Sequence, residues 1–138
     1  CVSVRGNHDD DLLTIVDKDV DARRKFWSEN IDYVRSLPLM RRHDALALLH
    51  NETTLATAPP AVLDATIILC GHTHLPDVSI RVNGRRERVD LSNRPLSLDP
   101  AKKYLVNPGG VGLYFDKPQT YMIYDDLART LELRWLSI

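Results

Sequence analysis

Cysteine, long apolar runs and an excess of charge of either sign are all scarce in this 138-residue chain, and each scarcity excludes something. The two cysteines, Cys1 and Cys70, form no CxxC pair and no framework of bridges. A reducing, cytoplasmic setting fits them, with Cys70 read as a small buried hydrophobe. The longest apolar stretches, such as residues 45–49 and 67–70, fall far short of the roughly 20 residues that span a bilayer, so no membrane span is expected. Eighteen basic and nineteen acidic residues leave a net charge of −1, which gives no electrostatic footprint for nucleic acid. The basic pairs Arg41-Arg42 and Arg85-Arg86 read as solvated faces. No charged segment followed by an apolar core opens the sequence, so no signal peptide is expected, and Asn51-Glu52-Thr53 reads as an accidental sequon. Nothing repeats and no tract is of low complexity. With 43% apolar residues, what remains is one ordinary domain over residues 1–138, long enough to bury a core.

The β-branched run Cys1-Val2-Ser3-Val4 reads as the end of a strand that breaks at Arg5-Gly6-Asn7-His8-Asp9. Asp9, Asp10 and Asp11 read as the acidic first turn of a short helix, with Asp9 orienting the loop rather than binding metal. Over residues 20–37, Ala22, Phe26, Trp27, Ile31, Val34 and Leu37 recur at three- and four-residue steps before Pro38, which predicts one amphipathic helix. Residues 38–49 read as two short strands around His43-Asp44, the second ending at His50, and a loop with Pro59-Pro60 follows. Residues 66–70 run without alternation, as in a strand covered on both faces, into Gly71-His72-Thr73-His74.

Residues 78–82 alternate, Asn83-Gly84 supplies a type I′ turn, and residues 85–89 return as a hairpin. Its arginines, Arg81, Arg85, Arg86 and Arg88, read as solvated charge rather than as contacts to a phosphate. After an irregular polar stretch, Tyr104-Leu105-Val106 forms a strand broken by Asn107-Pro108-Gly109-Gly110. Residues 120–124 then pair with residues 130–135.

Four of the five histidines, His8, His50, His72 and His74, stand where an apolar strand gives way to a loop, the usual place for ligand sites in layered sheets. His72 and His74 are two residues apart, so at an extended strand end both imidazoles project to one side. On a helix the same spacing would splay them by about 200°. Gly6 and Gly71 allow positive φ and close backbone approach. Asn7 offers a neutral amide oxygen, and His8 beside it an imidazole able to carry a proton.

The ordered set Gly6-Asn7-His8-Asp9, a strand ending in His50, Gly71-His72-Thr73-His74 and Asn107-Pro108-Gly109-Gly110 resembles the calcineurin-like metallophosphoesterases. Within them it looks most like the small phosphodiesterase and nucleotide-phosphatase branch. The resemblance implies an α/β fold, a two-sheet αββα sandwich, and a centre of two divalent metal ions drawn from Mn, Fe, Zn or Ni. Asn7, His50 and His72 would ligate one cation and His74 the other, with His8 as the catalytic group beside the phosphate. Two such cations polarise phosphoryl oxygens and lower the pKa of a bridging water. A protonated imidazole then offsets charge on the leaving oxygen. The implied substrate is a phosphoester, either a small molecule or a nucleotide.

The family's opening motifs, Asp-x-His and Gly-Asp-x-x-Asp, which supply the bridging carboxylate, do not occur here. Asn7, His50, His72 and His74 are all neutral ligands, so two dications would keep about four positive charges without a carboxylate to balance them. The expectation is therefore a domain that lacks the opening β-α-β-α part of the sandwich and binds metal weakly by itself. The chain then reads as a truncated product, as a fragment of a larger phosphoesterase, or as one half of a split protein whose missing motifs come from a partner chain or a neighbouring copy. Two other readings are a non-catalytic protein-binding scaffold on the same fold and a mononuclear zinc hydrolase. The latter would use His72, His74 and one distant histidine, and would leave Gly6-Asn7-His8-Asp9 unexplained.

Overall fold

Gly6 ends an extended segment and caps the first helix, α1 (Asn7–Lys18), where the Asp9 carboxylate accepts the Gly6 N–H at 2.8 Å. Asp9 and Asp10 in the first turn and Lys18 in the last both complement the helix dipole. These features belong to a computed structural model that describes residues 3–82, 85–91, 95–112 and 119–136, the Arg23 side chain excepted. Cys1 and Val2 of the expected opening strand, and the expected turn at Asn83-Gly84, lie outside the described residues.

The helix expected over residues 20–37 is two helices, α2 (Val20–Arg24) and α3 (Ser28–Ser36), parted at the aromatic pair. Periodicity marks an apolar face but does not supply a wall to bury it. Ile31 is buried against Leu13 and Val16 of α1, whereas Phe26 and Trp27 remain 43% and 75% exposed. The short helix expected after Asp9 is a full twelve residues, because Leu13 and Val16 recur on the face that meets α3.

Among the described residues nine strands form two sheets. The larger begins with β1 (Met40–His43) and β2 (Leu46–Leu49), an antiparallel pair that turns at Asp44, whose φ is +49°. It continues through β3 (Ile67–Leu69), β4 (Pro76–Val82), β5 (Arg85–Arg88) and β7 (Tyr104–Pro108), in the spatial order β1-β2-β3-β7-β4-β5. The smaller contains β6 (Leu96–Ser97), β8 (Thr120–Asp125) and β9 (Thr130–Trp135), with β9 in the middle. The two-sheet α/β arrangement expected from the sequence is the one observed, and the strand pairs around Asp44 and at the carboxyl end fall where they were expected. β6 is two residues long, below what a pattern reveals.

Strands β2, β3 and β7 run parallel to one another. A parallel pair needs a crossover. The one from β2 to β3 carries a 3₁₀ turn (Glu52–Thr57) and the single-turn α4 (Pro60–Leu63), with Pro60 pre-set for a first helical position. Val62 of α4 is buried with Ala47, Leu49, Ile68 and Cys70 on the outer face of the sheet. On the inner face Ile67, Val78 and Val106 pack with Leu131 of the smaller sheet. Adjacent Ile67 and Ile68 thus serve two different cores, which explains the unbroken apolar run of β3. No described helix is long and apolar enough to cross a membrane.

Two outcomes follow. Ile67→Ala should cost about 2–5 kcal/mol, measured by urea denaturation, because the vacated volume lies between two packed sheets. Burial pushes the Cys70 thiol up to about 12. Iodoacetamide at pH 8 should therefore leave Cys70 unmodified in the folded chain and alkylate it once the chain is unfolded, as read by peptide mapping.

Candidate metal centre

Parallel pairing levels the ends of the three central strands. Leu48 pairs with Leu69, and Leu69 with Val106. The same two-residue step beyond each places His50, Gly71 and Pro108 at one edge of the sheet. The Gly71 N–H donates to the His50 carbonyl, and the Cys70 N–H to the Val106 carbonyl, each at 2.8 Å. The carboxyl edge of adjacent parallel strands is where open α/β sheets place their ligands.

Asn7, at the first position of α1, closes over this edge. His50 Nε2 lies 2.6 Å from Asn7 Oδ1, and His72 Nδ1 lies 3.3 Å from the same oxygen. The two ring nitrogens are 3.2 Å apart, with their rings edge to face at an 82° interplanar angle. The amide oxygen only accepts, so a hydrogen bond to it uses a ring N–H, whereas a cation held at the same point takes the tautomers that leave His50 Nε2 and His72 Nδ1 unprotonated. Desolvation by burial holds the His50 pKa below its usual value, and the neighbouring His72 adds to the shift, with the Asp9 carboxylate acting in the other direction. A neutral imidazole is the form that presents a lone pair to a cation.

The approach of α1 depends on Gly6. A Cβ there would stand 2.9 Å from His50 Nδ1 and 3.0 Å from Cε1, so only a hydrogen at this position leaves the ring its place. Gly6 itself has φ −102°, and Gly71 is not among the residues with positive φ. The left-handed conformations these glycines would allow occur instead at His72 (φ +71°) and His74 (φ +59°), which corrects the extended strand end expected for these two histidines. Each costs on the order of 1–3 kcal/mol in a non-glycine residue, strain that persists only where the surroundings impose it.

Of the residues expected to bind metal, the fold brings Asn7, His50 and His72 into mutual contact. His74 stands two residues along the same loop, with its ring against Gly110, and its charge acts on His50. His8 is not a member of this contact. Its Nδ1 lies 3.3 Å from Asp11 on the exposed side of α1, and the side chain is 75% exposed. Among the described residues no three His, Cys, Asp or Glu side chains converge as a metal-ligating group. The third member of the cluster is an amide. A cation about 2.1 Å from each ligand atom requires those atoms roughly 3 Å apart, and Asn7 Oδ1, His50 Nε2 and His72 Nδ1 meet that spacing. They fit one cation. For a second, the expected residues supply His74.

Two supporting groups have contacts that the sequence does not reveal locally. Arg86 reaches Glu52, two residues past His50, at 2.8 Å, and Asp77, three past His74, at 2.6 Å, while its Nε donates to the buried Ser79 hydroxyl. Arg86 therefore braces the bases of both histidine loops, and Arg88 also meets Asp77, at 3.0 Å. The solvated reading of the hairpin arginines is corrected for Arg86, which is half-exposed and doubly paired, and holds for Arg88, whose side chain is 83% exposed. Asn107, at the end of β7, is 5% exposed and bonds to the 71–74 loop. An open cleft of about 750 Å³, lined in part by Asp77, Arg88, Leu91, Leu133 and Trp135, lies apart from the histidines.

Comparison with known proteins identifies the family and the fold. Residues 1–127 match the profile of the calcineurin-like phosphoesterase superfamily domain. The uncharacterized protein MJ0912 of Methanocaldococcus jannaschii is 29% identical over 160 residues, which cover 96% of this chain and 63% of the relative. The crystal structure of a metallophosphoesterase from Sphaerobacter thermophilus superposes with a TM-score of 0.71 at 21% identity, covering 99% of this chain and 66% of that one. That likeness is one of fold. The chain thus spans just under two thirds of each relative's length.

Gly6→Ala tests the close approach. The backbone at residue 6 accepts alanine, so stability should fall by no more than about 1–2 kcal/mol. The ring resonances of His50 and His72 should shift, as observed by NMR of the imidazole protons. Unchanged rings would show that α1 does not set the position of His50.

Proposed function

Because the chain belongs to the calcineurin-like phosphoesterase superfamily, we propose that it carries the histidine-rich part of a metal-dependent phosphoester hydrolase. The observation that supports this is the meeting of Asn7 Oδ1, His50 Nε2 and His72 Nδ1 at 2.6–3.3 Å, from residues far apart in sequence. In this reading those three residues hold one divalent cation and His74 takes part in holding a second, the metal being Mn, Fe, Zn or Ni. When bound, such a pair supplies Lewis acidity and a hydroxide nucleophile. Burial lowers the His50 pKa, which favours the form with a free ring lone pair, and Asn7 Oδ1, 2.6 Å from Nε2, would share the cation with it. His8 is the catalytic acid. Asp11 engages its Nδ1, which leaves Nε2 to hold or release a proton at the leaving oxygen.

The reading extends to a cytoplasmic enzyme acting on a small phosphoester or a nucleotide, as phosphodiesterase or phosphatase. The carboxylates that bridge two cations would come from a partner chain, a neighbouring copy or the further length that the relatives possess. A second reading is a protein-binding scaffold that keeps the fold without turnover. A single occupied site would favour the mononuclear alternative.

Titration calorimetry with Mn²⁺ separates these readings. The chain should bind Mn²⁺, His72→Ala should weaken binding at least tenfold, and His8→Ala should leave it unchanged. In the assembly with the missing carboxylates, His8→Ala should lower hydrolysis of bis(p-nitrophenyl) phosphate by about 100-fold or more. Full turnover without His8 would remove it from the chemistry, and an absence of Mn²⁺ binding would leave the scaffold reading.

A further inference from the structure

The segment after β7 does more than end a strand. Asn107 is buried, and its single side-chain amide brackets His72: Nδ2 donates to the Gly71 carbonyl at 2.8 Å and to Thr73 Oγ1 at 2.9 Å. Between those two points the Thr73 N–H donates back to the Gly71 carbonyl at 2.9 Å, closing a tight turn around His72. On its other side Asn107 Oδ1 accepts the Gly109 N–H at 3.0 Å. Gly109 has φ +84°, and a Cβ on it would fall 1.9 Å from Thr120 Oγ1, which itself donates to the Pro108 carbonyl at 2.9 Å. This fixes the chain direction at Gly110, where a Cβ would stand 3.0 Å from His74 Nδ1.

We infer that Asn107, with Gly109 and Gly110, is a positioning clasp that imposes the left-handed backbone of His72 and His74 and so aims both rings. The chemistry selects asparagine at this position. Aspartate would keep the acceptor for Gly109 but set an oxygen against the Gly71 carbonyl. Alanine would leave the Gly71 carbonyl and Thr73 Oγ1 without this donor. The clasp acts through the histidines and touches no reacting atom. Its consequence for metal binding rests on the proposed metal centre, whereas its consequence for the backbone does not.

Three variants test it. Thr73→Val removes one of the two acceptors of the Asn107 amide at an exposed position, so the fold is retained. Thr73→Ser keeps the hydroxyl, and Asn107→Ala removes the clasp. A residue with positive φ gives a strong intraresidue Hα–HN cross-relaxation by NMR, measurable without any metal. Asn107→Ala and Thr73→Val should lose this signature at His72, and Asn107→Ala at His74 as well. Both should weaken Mn²⁺ binding by about 10–100-fold, as loss of a group that orients a ligand does. Thr73→Ser should behave as the parent. Retention of both signatures in Asn107→Ala, or unaltered Mn²⁺ affinity in a parent that binds it, would overturn the proposal. If the parent binds no Mn²⁺, the metal reading fails, and the signatures alone decide the clasp, their loss sustaining it and their persistence refuting it.

Discussion

The register of three parallel strands is the constraint from which the rest of the site follows. Because β2, β3 and β7 pair in step, their carboxyl ends arrive at one level: His50 after the first, the 71–74 loop after the second, and Asn107-Pro108 at the end of the third. A slip of one residue in either pairing would turn every side chain of a strand to the opposite face. That slip would also exchange the two cores that flank Ile67 and Ile68, so the packing that stabilises the sheet holds the histidines in place.

Onto this edge the fold adds groups that restrain rather than react. Gly6 brings the start of α1 against the His50 ring, Arg86 links the two loop bases through Glu52 and Asp77, and Asn107 bonds across from β7. Individually, half-exposed ion pairs such as those of Arg86 contribute about 1 kcal/mol or less. Their shared effect is geometric. Two imidazoles held 3.2 Å apart beside an amide oxygen, in a loop with two left-handed histidines, form an arrangement that an isolated chain would not adopt. Such arrangements concentrate where a ligand is to be held, which ties the packing to the proposed chemistry.

Much of this was legible in the sequence, for local reasons. Continuous or alternating apolar runs ending in Leu49-His50, Cys70-Gly71-His72 and Val106-Asn107 announced the strands and marked their ends as chemical. The turn at His43-Asp44 and the pairing of β8 with β9 followed from the same patterns. The length of α1 was hidden because Asp9, Asp10 and Asp11 resemble a turn, and only the packing of Leu13 and Val16 on α3 extends it. The break at Phe26-Trp27 was hidden because periodicity is blind to whether a wall exists. The role of Asn107 could not be read locally, since Gly71 and Thr73 are neighbours only after β3 and β7 pair. The positive φ that Gly6 and Gly71 would allow was displaced onto the histidines, and glycine at residue 6 serves close approach alone.

The most direct test of the account is a crystal structure of this chain soaked in Mn²⁺, with anomalous difference density recorded for the metal. The account expects a peak within coordination distance of Asn7 Oδ1, His50 Nε2 and His72 Nδ1 together. A saturated crystal with no peak there, or with Mn²⁺ bound only at other residues, would contradict the claim that the edge formed by β2, β3 and α1 is a metal centre.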